Sequence, residues 1–136
     1  MDKLLVDTNI VIDLLAKREY FYQEAQELFT LADTNQAELH LSALTVADTH
    51  YLLASHYKLN ETRKILLKFK VLVTVLPIDD TILELALTSD FKDFEDAVQY
   101  YVALKNNVEM IITRNKKDFK NSSLPVLTAR EYLNSK

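Results

Sequence analysis

The sequence predicts an α/β fold in which a parallel sheet carries helices on both faces. Short apolar runs that read as strands recur along the chain, and segments of helical periodicity separate them, a spacing that demands crossover connections and hence parallel pairing. At 136 residues and 49% hydrophobic, the chain holds one well-packed core and is too short for two domains of ordinary size, so residues 1–136 are expected to form a single domain.

Residues 4–6, LLV, form the first apolar run and end at Asp7; residues 10–15 continue apolar with Asp13 as the break, a buried strand feeding a helix. A helix follows over about 19–34, where Phe21, Ala25, Leu28, Phe29 and Ala32 recur at helical spacing. ELHL, 38–41, is a short strand, and Ser42 is placed to cap a helix over about 43–57. Leu66, Leu67 and Phe69 mark a helix after Asn60, and VTVLP, 73–77, alternates and stops at proline as a strand does. Asp79 or Asp80 caps the next helix, with Ile82, Leu83, Ala86 and Leu87 on its apolar face. The segment 93–107 opens with acids and closes on Asn106 or Asn107, which stand in for glycine at a helix end. MIIT, 110–113, and VLT, 126–128, are strands, and AREYLN is a closing helix.

Composition excludes several functions. The chain has no cysteine, which removes disulfides and thiolate metal sites, and no glycine, which removes both the P-loop and the dinucleotide fingerprint. Neither a signal peptide nor a membrane span is evident, so the expected location is the cytoplasm. Sixteen basic against twenty acidic residues give a net charge of −4, so nucleic acid binding requires a local basic patch or bound cations.

Ligands of open parallel sheets bind where the strands end. Asp7 follows the first strand, Asn115 and Asp118 follow MIIT, and Asp90, Asp93 and Asp96 lead into or begin the helix before it. Asp48 lies within an apolar helical pattern. A carboxylate directly after a buried strand is costly unless paired or metal-bound, which singles out Asp7. Acids gathered at one edge repel one another until a hard cation such as Mg²⁺ or Mn²⁺ joins them, and such an ion serves phosphodiester hydrolysis. The plainer readings make Asp79, Asp80, Asp90 and Asp93 helix caps or first-turn acids, and put Asp13 on a solvent-facing helix side. His40, His50 and His56 lack metal-ligand spacing and read as packing or surface residues. Arg114, Lys116, Lys117 and Lys120 form the densest basic cluster, next to the proposed pocket, where they could hold flanking phosphates.

Four segments together, LVDTNIVIDLL, SALTVADTHYLL, DFEDAVQYYVA with ITRN, and NKKDF, resemble the PIN-domain ribonucleases, in particular the small VapC-type toxins of toxin-antitoxin pairs. The resemblance spans residues 4–133. It implies a three-layer α/β/α sandwich, an acidic Mg²⁺ or Mn²⁺ pocket and RNA cleavage. Carried over by position, Asp7 is the first acid, with Thr8 and Asn9 shaping the pocket; Asp96 is the third acid; Thr113, Asn115 and Asp118 match the segment after the fourth strand. Asp48 stands where many members have glutamate, and Asn115 replaces a frequent acid. The expected catalytic set is Asp7, Asp48, Asp96 and Asp118, with Asp7, Asp96, Asn115 and Asp118 on the metal. RNA, a cognate antitoxin protein and a second copy of the chain are the expected partners. A reading of a different class stands beside it: an interaction domain that keeps the fold while its pocket has lost activity.

Overall fold

A computed structural model describes residues 1–136. Five parallel strands, β1 (Asp2–Val6), β2 (Ala37–Ser42), β3 (Thr74–Leu76), β4 (Met110–Ile112) and β5 (Val126–Leu127), form one sheet in the order β3-β2-β1-β4-β5. Seven helices connect and cover them: α1 (Thr8–Leu15), α2 (Tyr22–Asp33), α3 (Ala43–Ser55), α4 (Thr62–Phe69), α5 (Asp80–Leu87), α6 (Phe94–Lys105) and α7 (Ala129–Asn134).

Alternation along β1 assigns the two faces of the sheet. Leu4 and Val6 join Ile10, Leu28, Phe29 and Tyr132 in the core beneath α1, α2 and α7, whereas Leu5 joins Ile82, Val98, Val102 and Ile111 beneath α5 and α6. Leu4, Leu5 and Val6 are fully buried, and each such side chain contributes about 1.5–3 kcal/mol of transfer free energy. The expected sandwich is therefore realised, with a central strand that is apolar on both faces, as a covered parallel sheet requires.

Local signals place the helix starts. Ser42 Oγ accepts from Thr45 N at 3.2 Å, Asp79 Oδ1 from Ile82 N at 2.9 Å, and Asp93 Oδ1 from Asp96 N at 3.0 Å. Thr128 and Glu131 close a reciprocal capping box on α7. Because the chain lacks glycine, left-handed turns fall on other residues. Asn107, at φ 56°, ends α6 as expected, and Asn35, at φ 57°, follows α2. Helix α2 starts at Tyr22 rather than near 19, since residues 18–21 form a turn in which Tyr20 has φ 74°. No helix is long and apolar enough to cross a membrane.

From β1 the chain winds outward to β2 and β3, then crosses to β4 on the opposite side. Strands β1 and β4 thus flank the switch point, and the crevice opens at their C-terminal ends.

Candidate metal centre

Asp7 leaves β1 and caps α1 in one step. Its own N–H donates to Ile112 O at 2.9 Å, extending the β1–β4 ladder by one residue, while its Oδ1 accepts from Thr8 N at 2.8 Å. The side chain is only 8% exposed. Thr113 Oγ1 donates to Oδ2 at 2.8 Å, Asn9 Nδ2 approaches the same oxygen at 3.4 Å, and Gln99 Nε2 donates to Oδ1 at 3.3 Å. Burial nevertheless wins over these donors and lifts the Asp7 carboxyl above the ordinary carboxylate range, with the nearby Asp118 charge adding to the lift.

Around Asp7 a cleft of about 740 Å³ gathers Asp48 from α3, Asp93, Glu95 and Asp96 from the start of α6, and Asp118 from a 3₁₀ turn, Lys116–Phe119. Thr8, Asn9 and Asn115 also line it. All four acids read as catalytic in the sequence therefore meet in one place. Thr113, fully buried, lies beneath the floor and acts through its bond to Asp7. Asp93 serves both as the α6 cap and as part of the wall, whereas Asp90 stands outside the cleft.

Crowding of like charges is visible in the acids themselves. Asp96 is pushed up to about 7, first by burial and then by the charges of Asp7, Asp93, Asp118 and Glu95. Glu95 is also pushed up to about 7, chiefly by the Asp48 carboxylate beside it and then by burial. Glu95 was not among the sequence candidates. Its signal was present in DFED, where an acid beside Asp96 in the first turn of a helix reads as a dipole partner.

Sequence reasoning also missed the support under the floor. Gln99 Nε2 bridges Asp7 and Thr45 Oγ1, the latter at 2.7 Å, and Thr45 Oγ1 lies 3.0 Å from Thr8 Oγ1. Both amide protons of Gln99 are thus committed, which leaves its buried Oε1 without a partner at the cleft. A polar residue between Val98 and Tyr100 was the available clue.

No three of these carboxylates converge closely enough to close on an ion by themselves. The donor set still fits a hard cation that keeps part of its water shell: it is all oxygen, it is electrostatically under-compensated, and Gln99, one of the lining residues, has a buried Oε1 without a partner. Asp7, Asp96 and Asp118, with Asn115, are the residues placed to hold such an ion directly or through water.

Two expectations change. Asp13 does not face solvent: it is 1% exposed, and Arg114 grips it through Nε and Nη2 at 2.8 and 3.2 Å. Arg114 also stacks on the Phe21 ring at 4.1 Å, so its guanidinium is a structural clamp rather than a free phosphate ligand. Of the remaining basic cluster, Lys116 pairs with Glu131 at 2.9 Å on the surface, while Lys117 and Lys120 line a smaller depression that shares Asp93 and Asp118 with the acidic cleft. His56, read as a packing or surface residue, lies on the cleft wall.

Known proteins share sequence and fold with this chain. Ribonuclease VapC1 of Aquifex aeolicus is 27% identical over 139 residues, covering 96% of this chain and 93% of that protein. A toxin-antitoxin complex from Klebsiella pneumoniae contains a chain 28% identical to this one, with a TM-score of 0.66 over 93% of this chain and 97% of that chain. FitAcB from Neisseria gonorrhoeae, at 19% identity, shares the fold with a TM-score of 0.67 over 93% of this chain and 98% of that chain. The PIN domain model matches residues 3–117, which include Asp7, Asp48, Asp96 and Asn115, and the chain accordingly belongs to the PIN-domain family and is similar to its VapC ribonucleases.

Proposed function

We propose that the protein is a divalent-metal-dependent endoribonuclease, acting in the cytoplasm as the toxin of a toxin-antitoxin pair. The observation that carries this reading is the set of mutually repelling carboxylates, Asp7, Asp96 and Asp118, gathered at the switch-point edge of a PIN-domain sheet. The similarity to a ribonuclease along nearly the whole chain supports the reaction class, and the similarity to a chain of a toxin-antitoxin complex supports an antitoxin partner.

Mg²⁺ or Mn²⁺, when bound, supplies positive charge for a phosphodiester and a water acidic enough to attack phosphorus near neutral pH. Asp7 is held rigid by Thr8, Thr113 and Gln99 so that its oxygens keep one orientation. Asp96 and Asp118 face it across the cleft, and Asn115 contributes a neutral oxygen. Glu95, pushed up to about 7 beside the Asp48 carboxylate, is suited to giving a proton to the leaving oxygen. Lys117 and Lys120 hold phosphates that flank the cut, offsetting the acidic bulk charge.

The test is cleavage of total cellular RNA by purified protein with Mg²⁺ or Mn²⁺, compared with a chelator control. Discrete fragments that vanish with chelator, and that fall at least about 100-fold in Asp7→Asn and Asp96→Asn, are expected. Cleavage that survives both substitutions, or its absence in the wild type with either metal, overturns the reading.

A further inference from the structure

The cleft wall beyond the acids is aromatic. Asp48, Tyr51 and Leu52 occupy one stripe of α3, and His56, the residue that caps its C-terminus, continues that stripe. Tyr57 stands beside His56, with the two rings edge-to-face at 4.8 Å. Tyr51 is 67% exposed although it lies within a helix and faces the cleft. None of these side chains takes part in the support of Asp7.

Arg18 lines the same cleft and shares its one ion-pair partner, Asp13, with Arg114. Asp13 carries one negative charge and faces two guanidinium groups. Arg114 takes both carboxylate oxygens, at 2.8 and 3.2 Å, whereas Arg18 Nη1 stands 3.4 Å from Oδ1 and is the more exposed of the two. The surplus positive charge of the trio therefore resides at the cleft surface.

We propose that Tyr51 and the His56–Tyr57 pair, together with Arg18, form a subsite that stacks one base of single-stranded RNA and holds its phosphate beside the acidic floor. A nucleotide presents a flat π-face and an anion within one unit, which matches an aromatic wall and a partly exposed guanidinium that shares its carboxylate with a second arginine in one cleft. Stacking accepts any base, so the subsite selects unpaired strands rather than a sequence. A protein helix would use the aromatic wall but has no need of the cation beside it.

The subsite deepens the nuclease reading, since that reading sets where the scissile phosphate lies. The experiment measures fluorescence anisotropy of a labelled octaadenylate RNA and of an abasic ribose-phosphate strand of the same length, with Ca²⁺ in place of Mg²⁺. Wild type is expected to bind the octaadenylate about tenfold more tightly than the abasic strand. Tyr51→Ala removes that preference and leaves abasic binding unchanged, Tyr51→Phe retains it, and Arg18→Ala weakens both probes several-fold. Equal affinity of wild type for the two probes, equal weakening of both by Tyr51→Ala, or no binding of either overturns the subsite. A Tyr51-dependent preference in a protein that cuts no RNA sinks the nuclease reading and keeps the subsite; metal-dependent cleavage without that preference does the reverse.

Discussion

Arg114 closes a two-toothed fork on Asp13, with Nε and Nη2 at 2.8 and 3.2 Å from the two carboxylate oxygens, and so ties the segment after β4 to the last turn of α1. The same residue's N–H approaches Asn9 Oδ1 at 3.4 Å, and Asn115 N donates to Thr113 Oγ1 at 3.1 Å. The clamp thus sets the loop that presents Thr113 to Asp7 and Asn115 to the acidic cleft. Removing one partner of a buried pair costs more than the pair contributes, because the other charge stays unpaired. Asp13→Ala is expected to lose about 3 kcal/mol in urea unfolding, since Arg18 and Arg114 then repel each other. A loss under about 0.5 kcal/mol, the size of an ordinary surface substitution, contradicts the clamp.

Thr113→Val keeps the shape of a fully buried side chain and deletes its donor to Asp7. Asp7 then faces burial with one counterweight fewer, and its proton is held more tightly still. Stability should fall by about 1–2 kcal/mol, and apparent Mn²⁺ affinity at pH 7 should fall while recovering as pH rises. Titration of the variant at two pH values checks the recovery, and an affinity deficit independent of pH counts against it.

Repulsion among the acids gives metal-free protein a particular pH dependence. Asp96 and Glu95 titrate near 7 in the folded chain, above the range they have when unfolded, so the folded state binds their protons more tightly. The stability this brings is complete below about pH 4 and is lost as pH climbs towards 7. Asp96→Asn cannot ionise. In chelator-treated samples it should melt with wild type near pH 4 and a few degrees higher near pH 7.5, the shift expected of about 1 kcal/mol of solvent-screened repulsion. The same offset at both pH values would remove charge crowding as its cause.

Lys117 and Lys120 predict a salt effect rather than a folding effect, because both side chains are exposed beside the cleft. With both changed to alanine, the log–log slope of RNA affinity against salt should drop by about 0.7 per lost phosphate contact. Melting temperature should stay within a degree or two. An unchanged slope assigns the phosphates to other residues.

Much of this was readable from residue order. Asp7, Asp96, Asn115 and Asp118 were found because parallel sheets bring strand ends together, a rule that needs only the sequence of elements, whereas Asp48 was singled out by its place in an apolar helical pattern and by the family resemblance. Strand β1 reached back to Asp2 and α1 began at Thr8, because ladder bonds and an aspartate cap extend elements past their apolar stretches. Asp13 was illegible for a different reason. A lone acid in an apolar helix reads the same whether it meets water or a guanidinium, and here the guanidinium lies 101 residues away. Gln99 and Thr45 are equally silent, since each looks like a helix residue until tertiary packing turns it towards Asp7. The fate of Arg114 follows from the same long-range pairing, which no local charge pattern encodes.

The central claim is that Asp7 and Asp96 belong to one cation site. Calorimetric titration of Mn²⁺ into chelator-stripped wild type, Asp7→Asn and Asp96→Asn tests it most directly. The account predicts saturable binding by wild type, accompanied by proton release near pH 7, and loss of at least about tenfold in affinity in each variant. No saturable binding by wild type, or binding that both variants retain in full, would contradict it.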